Sequence, residues 1–136
     1  MRKAVVDILI DLAAKDKKIY VLVGDLGYSV WEKFQEKYPK RFINCGIAEQ
    51  TMIGMAAGLA LTGKKVYVYS IIPFLIFRPF EYIRNDICYQ NLDVNLIGVG
   101  AGDRYKNLGS SHYTIEDVSI IKNLPNIKTI PKLRII

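Results

Sequence analysis

The residue best suited to carry out chemistry is Glu49, which lies in the stretch 42–63 (FINCGIAEQTMIGMAAGLALTG). A short apolar segment and a turn come before it, so we expect a helix to begin there with Glu49 and Gln50 in its first turn. Unpaired backbone amides and the helix dipole favour a carboxylate at that place. Glu49 is therefore either an ordinary helix-start carboxylate or a group held there to act on a ligand. Spacing alone favours the first interpretation.

One face of the same predicted helix carries almost no side chains, because Gly54, Ala57 and Gly58 recur at three- and four-residue spacing. A glycine inside a helix costs about 1 kcal/mol relative to alanine. Two glycines one turn apart therefore indicate close packing of this face against another backbone or a flat ligand.

Two further polar residues lie where binding sites often form. Asp25 ends the apolar segment 19–25 (IYVLVGD), and ligands of open α/β sheets gather at the carboxyl ends of strands. A turn or capping role explains Asp25 equally well. His112, the only histidine, lies in the glycine-rich polar loop 101–113. Histidine suits proton transfer near neutral pH, although a lone loop histidine is more often a surface or hydrogen-bonding residue.

The elements that must position these residues alternate along the chain. Helices are predicted at 2–15, 29–38, 47–62, 80–90 and 115–124, and apolar strands at 19–25, 42–43, 66–71, 94–100 and 127–130. Short links between strand, helix and strand imply right-handed crossovers and parallel strands. The sequence therefore predicts one domain over residues 1–136 with a three-layer α/β/α fold, in which a mostly parallel sheet lies between helices.

Composition narrows the class of protein. The net charge of +6 suits a phosphorylated small substrate, but the lysines are scattered without a basic stripe, so we expect no nucleic-acid partner. No apolar run is long enough to span a bilayer, and the N-terminus lacks a signal-peptide core. We therefore expect a cytoplasmic protein with no membrane partner. Cys45 and Cys88 have no metal-ligand spacing, and no metal site is predicted in this chain.

The motif GIAEQ at 46–50, followed by AAGLA at 56–60, resembles the pyrimidine-binding domain of the transketolase family, which includes the deoxyxylulose-5-phosphate synthases. The resemblance covers roughly residues 19–130 and is strongest at 43–60. It implies the thiamine-diphosphate-binding fold and thiamine diphosphate as cofactor. The E1 β subunits of 2-oxoacid dehydrogenases share the domain and a related glutamate motif, but the motif here is closer to transketolase.

The resemblance implies that Glu49 is both cofactor-binding and catalytic, because the family's glutamate contacts N1′ of the cofactor's aminopyrimidine. Such a carboxylate shares a proton with the ring and favours the imino tautomer, which turns the cofactor's own amino group into a base. The carboxylate must be shielded from water to do this. The resemblance therefore favours the functional interpretation of Glu49.

The stretch 69–78 (YSIIPFLIFR) resembles a family segment in which a phenylalanine covers the pyrimidine and an arginine follows. The spacing departs slightly from the family's, so Phe74 and Phe77 are both candidates, with Phe74 preferred. Arg78 matches the family's arginine position, and Tyr69 at the strand end is predicted to border the same site. The alternative is that at least one of these aromatics belongs to the core.

The segment GSSHYTIED at 109–117 resembles a family stretch whose histidine lies near substrate and cofactor. The resemblance therefore implies that His112 is catalytic and assists proton movement on the substrate. Together with Asp25, which we predict to contact the cofactor, it completes the set of candidate site residues.

The resemblance also implies a partner. The family's Gly-Asp-Gly and Asn segment, which holds Mg²⁺ and the diphosphate, is not found in this sequence, so we expect Mg²⁺ on a separate diphosphate-binding domain or subunit. The family's domain usually continues with a further helix, whereas this chain stops at PKLRII, and the domain is expected to be short at its C-terminus.

The function implied is transfer of a two-carbon ketol unit between sugar phosphates, within a homodimer or heterotetramer and not by this chain alone. Two alternatives remain open from the sequence. One is a non-catalytic assembly module or truncated remnant of the family, and the other is an E1 β-like subunit.

Overall fold

The structure, a computed structural model, describes residues 2–130 and is organised around a four-stranded sheet in the order β2-β1-β3-β4. The strands are β1 (Ile19–Val23), β2 (Phe42–Asn44), β3 (Lys65–Ile71) and β4 (Val94–Val99). All three pairings are parallel. Val21 and Leu22 of β1 are fully buried, as a continuous apolar segment in the middle of a parallel sheet requires.

Six helices are found in the described residues. They are α1 (Arg2–Lys15), α2 (Glu32–Lys37), α3 (Glu49–Leu61), α4 (Ile72–Ile76), α5 (Phe80–Tyr82) and α6 (Asp117–Ile121). Helix α5 runs directly into a π-helical segment, Ile83–Cys88, and short 3-10 turns lie at Pro39–Arg41 and Lys106–Leu108. No helix within residues 2–130 is both long enough and apolar enough to cross a membrane.

The sheet separates two apolar cores, which confirms the predicted three-layer α/β/α fold. On one face, α1 and α2 pack through residues such as Leu9 and Phe34 against Val21 of β1. On the other face, α3, α4 and the π-helical segment pack through residues such as Ile53 and Leu75. Because side chains alternate along a strand, each strand contributes to both cores.

The prediction that Glu49 lies in the first turn of this helix is confirmed, although α3 begins at Glu49 and not at residue 47; Gly63, at φ +81°, follows its last turn. The small-residue face of this helix is only partly exposed, because Ala57 is buried in the core while Gly54 is half-buried and Gly58 is exposed. A Cβ on Gly58 would meet nothing within 4 Å, and a Cβ on Gly54 would come no closer than 3.7 Å to the Tyr82 ring. At these two glycines, therefore, no other backbone of the described chain approaches closely.

Some sequence predictions are wrong in detail. Residues 127–130 form no strand, and the sheet has four strands, not five. The chain turns at Asn126, whose side-chain amide donates to the Cys88 carbonyl at 3.0 Å, and Ile127 packs against the core without ladder pairing. The connection 72–78 contains α4, which is compatible with Pro73 because a first helical turn needs no amide donor there.

Candidate functional site

The carboxyl edge of the sheet brings four of the predicted site residues into one chain of contacts. Glu49 contacts Arg78, Arg78 contacts Phe74, and Phe74 contacts His112. We refer to these four residues as the Glu49 cluster. They come from α3, the segment after α4, α4 itself and the loop after β4.

Glu49 is buried at the start of α3, with only 2% of its surface exposed. Its Oε2 accepts a hydrogen bond from Arg78 Nη1 at 2.8 Å. Its Oε1 has no hydrogen-bond partner among the described residues. A buried carboxylate oxygen without a donor is costly, so this atom indicates a place for a further donor.

Gly24, which directly follows β1, lies beside this carboxylate. A Cβ on Gly24 would lie 3.6 Å from each of three atoms: Glu49 Oε1, Ser70 Oγ and Met52 Cε. Ser70 is fully buried, and its hydroxyl also has no hydrogen-bond partner in the described chain. Two polar atoms without a partner among the described residues therefore lie close to the same glycine.

Phe74 and Phe77 have different surroundings. The Arg78 guanidinium carbon lies 3.9 Å from the centroid of the Phe74 ring, and His112 packs edge-to-face on Phe74 with the centroids 4.9 Å apart. Phe77 packs instead against the core beneath α3 and α4. The structure thus brings Phe74 into the Glu49 cluster and leaves Phe77 outside it.

His112 is half-buried in the loop after β4. Its Nδ1 lies 2.9 Å from Ser111 Oγ, and its backbone amide donates to the Gly109 carbonyl at 3.0 Å. A histidine held by its neighbours in this way can present the other ring nitrogen to a ligand.

Asp25 belongs to a separate hydrogen-bonded group. Its Oδ1 accepts from the Tyr28 hydroxyl at 3.1 Å and from Asn44 Nδ2 at 3.0 Å, and its own amide donates to Asn44 Oδ1 at 3.0 Å. The hydrogen bond that Tyr28 donates to Asp25, together with the negative charge of Asp25, raises the pKa of Tyr28 above its ordinary value. Asn44 also accepts from the Gly46 amide, so it fixes the turn that leads into α3.

Sequence reasoning missed Asn44, although a polar residue at a strand end directly before a turn was a usable signal. It missed Ser70 as well, because the larger neighbouring side chain of Tyr69 was the more obvious candidate. The alternation of β3 turns Tyr69 to the opposite face of the sheet, where it is buried against Trp31 with ring centroids 5.2 Å apart. Tyr69 therefore lies outside the Glu49 cluster.

The two cysteines add no reactive centre. Burial raises the pKa of both the Cys45 and the Cys88 thiols, which keeps them protonated at neutral pH. Residues 2–130 also contain no group of three or more histidine, cysteine or acidic side chains placed to hold a metal ion.

Comparison with known proteins places this chain in a family. The family profile described as "Transketolase, pyrimidine binding domain" matches residues 1–131. A candidate transketolase C-terminal section from Methanocaldococcus jannaschii is 42% identical over 131 residues, covering 96% of this chain and 42% of that protein. One subunit of an apulose-4-phosphate transketolase from Phocaeicola vulgatus is 35% identical over 130 residues, covering 95% of this chain and 42% of that protein.

The fold agrees with the sequence comparison. A solved structure described as a split-gene transketolase in an inactive β4 tetramer superposes with a TM-score of 0.80 at 40% identity, covering 92% of this chain and 40% of that one. This chain thus spans about two-fifths of the length of these similar proteins. With a profile match over nearly the whole chain and relatives above 30% identity, the chain belongs to the family of transketolase pyrimidine-binding domains.

Proposed function

We propose that this chain is the pyrimidine-binding part of a thiamine-diphosphate-dependent enzyme that transfers a two-carbon ketol unit between sugar phosphates. The observation that carries the proposal is the buried Glu49 carboxylate, which has one oxygen without a donor among the described residues and lies in contact with the Arg78–Phe74–His112 chain.

The cofactor's pyrimidine fits the residues present. A carboxylate can accept about four hydrogen bonds, and Oε1 of Glu49 has no donor among the described residues, so the carboxylate can accept a hydrogen bond from a protonated ring nitrogen. Burial shields such a bond from water and strengthens it. Glu49 would hold the ring and keep a proton at its N1′ atom.

Phe74 would provide the flat apolar surface for the ring. Stacked aromatic contacts are worth about 0.5–1.5 kcal/mol beyond the area that they bury, and they fix the plane of the ligand. A ring that stacks on Phe74 would also lie near His112, which packs on the same side chain.

His112 would then serve the substrate. Its imidazole lies at the end of the Glu49 cluster away from the carboxylate, on a loop rich in glycine and polar residues. We assign it proton transfer to and from substrate oxygens. When bound, thiamine diphosphate supplies the electron sink for breaking and forming a bond next to a carbonyl carbon.

A second protein part would bind the diphosphate and its Mg²⁺. This chain spans about two-fifths of its relatives, and the Phocaeicola vulgatus relative is named as one subunit of a transketolase, so that enzyme has at least one other subunit. By analogy we propose that the site of this protein is completed by a diphosphate-binding domain or subunit. We also propose the cytoplasm as its location.

The test is a calorimetric titration of thiamine diphosphate with Mg²⁺ into the chain alone and into its mixture with a diphosphate-binding partner. We expect binding in the mixture only, and clearly weaker binding after Glu49→Gln. Glu81→Gln, an exposed glutamate on α5, is the matched control and should bind as wild type.

Equal binding by the Glu49→Gln mixture would remove Glu49 from the site. No binding in any mixture would instead favour a non-catalytic assembly module, with Glu49 as an ordinary helix-start carboxylate.

A further inference from the structure

Arg78 makes two contacts at once in the Glu49 cluster. Its Nη1 donates to Glu49 Oε2 at 2.8 Å, and its Cζ lies 3.9 Å from the centroid of the Phe74 ring. A guanidinium is a planar cation that can hydrogen-bond a carboxylate at its edge while its face stacks on an aromatic ring.

These contacts are the same in kind as those proposed for the cofactor's aminopyrimidine. That ring is also planar, and it would donate to Glu49 and stack on Phe74. In the structure the guanidinium covers the Phe74 ring and donates to Glu49 Oε2. A pyrimidine that stacks on the same face of Phe74 must therefore displace the guanidinium.

We propose that Arg78 is a positioning residue that takes the place of the aminopyrimidine before the cofactor binds and is exchanged for it on binding. The inference rests on the proposed function, since it assumes that Glu49 and Phe74 receive the ring. It differs from the expectation that Arg78 itself holds the cofactor.

Burial of Glu49 explains why such a residue is needed. With 2% of its surface exposed, the Glu49 carboxylate is costly to bury without a cation or a donor beside it. Arg78 supplies both through its hydrogen bond to Glu49 Oε2.

The exposure of Arg78 explains why it can leave. Its side chain is 41% exposed, whereas that of Glu49 is 2% exposed, so rotation towards solvent rehydrates the guanidinium. When a protonated ring nitrogen takes over the donor position, the buried carboxylate keeps a partner throughout the exchange. Arg78 then lowers the apparent affinity for the ring, because the ring must compete with a tethered group.

The experiment uses the intact protein assembled with its diphosphate-binding partner and titrates the hydroxymethyl aminopyrimidine fragment of thiamine. This probe reports on the pyrimidine contacts alone because it lacks the diphosphate. The variants are Arg78→Met, which removes the charge and the planar group, and Arg78→Lys, which keeps the charge only.

Arg84→Met is the matched control. The Arg84 guanidinium also lies over an aromatic ring, 4.7 Å from the Tyr89 centroid, but its hydrogen bonds go to Asn85 Oδ1 at 2.7 Å and to the Tyr89 hydroxyl at 3.1 Å. Thermal unfolding of each variant is recorded alongside, and Arg78→Lys carries the test if Arg78→Met does not fold.

We expect Arg78→Met to bind the fragment about fivefold more tightly than wild type, Arg78→Lys to bind with intermediate affinity, and Arg84→Met to match wild type. Weaker or unchanged binding by Arg78→Met would overturn the exchange, because Arg78 would then hold the ring or be indifferent to it. Absence of fragment binding in every protein, wild type included, would instead contradict the proposed function.

A second readout follows the arginine directly. In protein labelled with nitrogen-15 arginine, the Arg78 Nε–H resonance, assigned by its loss in Arg78→Lys, should move to a solvent-exchanging position at saturating fragment. An Arg78 resonance unchanged at saturation would show that the guanidinium stays in place, and the exchange would be wrong.

Discussion

Two carboxylates lie at the carboxyl edge of this sheet, and their surroundings differ. Asp25 follows β1 in a half-buried turn, where Tyr28 and Asn44 both donate to its Oδ1. Glu49 follows β2 at the start of α3, where it is buried, bonded by Arg78 through Oε2 and without a partner at Oε1 among residues 2–130.

The difference separates a structural carboxylate from a candidate functional one. The Asp25 group ties the ends of β1 and β2 together, and its carboxylate lies in a half-buried turn, not in the core. The Glu49 cluster leaves a buried acceptor unsatisfied within the described chain, and natural proteins accept that cost mainly at functional sites. We therefore expect changes at Asp25 to act on the fold and changes at Glu49 to act on chemistry.

The largest expected effect concerns turnover. Glu49→Gln should lower kcat of the assembled enzyme about 100-fold or more. A factor of about 100 is the lower end of the contribution that a proton-transfer group makes to the rate. Asp25→Asn should lower kcat by less than about tenfold, because asparagine keeps an acceptor oxygen and tolerates the φ of +51° found at this position. Steady-state rates at saturating cofactor measure both, and comparable losses would place Asp25 in the catalytic machinery.

The next effect concerns stability. Asn44→Ala removes three hydrogen bonds, with the Asp25 amide, the Asp25 carboxylate and the Gly46 amide, and should lower the free energy of unfolding by about 1–3 kcal/mol. Ser70→Ala removes a buried hydroxyl that has no partner in the described chain, and it should change the free energy of unfolding by less than about 0.5 kcal/mol. Urea unfolding compares the two, and a marked loss in Ser70→Ala would reveal a partner for that hydroxyl.

The two phenylalanines should respond in opposite ways. Phe74→Ala should weaken thiamine diphosphate binding by about two- to tenfold, which corresponds to the free energy of one aromatic stacking contact, and should change stability little. Phe77→Ala should lower the free energy of unfolding by about 1–2 kcal/mol and should largely retain binding. This loss is smaller than that for a fully buried phenylalanine, because Phe77 is only partly buried. Calorimetry and thermal unfolding of both variants check this, and the reverse pattern would make Phe77 the stacking residue.

The smallest effect concerns pH. The hydrogen bond from Tyr28 to Asp25 raises the pKa of Tyr28 in the folded protein, so its stabilising contribution is fully present below the unfolded tyrosine value of about 10 and is lost as the pH rises through the folded pKa. Tyrosine-resolved NMR titration should show the Tyr28 step moving to lower pH in Asp25→Asn. An unmoved step would show that the bond does not form in solution.

Much of the fold could be predicted from the sequence, because the information is local. The continuous apolar segment of β1, the short links and the small residues after the 42–44 strand each specify their element without reference to distant residues. The placement of Glu49 in the first turn of α3 was predicted for the same reason. The strand predicted at residues 127–130 was wrong. A segment pairs as a strand only where a sheet edge lies next to it, and a four-residue apolar pattern carries no information about that edge.

The sequence by itself also determined the set of chemical candidates and, through the GIAEQ motif, the family. Only the tertiary structure decided which candidates meet. Arg78 reaches Glu49 across 29 positions of the chain, and His112 reaches Phe74 from the loop after β4. The same holds for Ser70 over Tyr69, and for Phe74 over Phe77. Side chains alternate along β3 in any case, but only the packing of the layers decided that Ser70 lies near Glu49 and that Phe74 lies against Arg78.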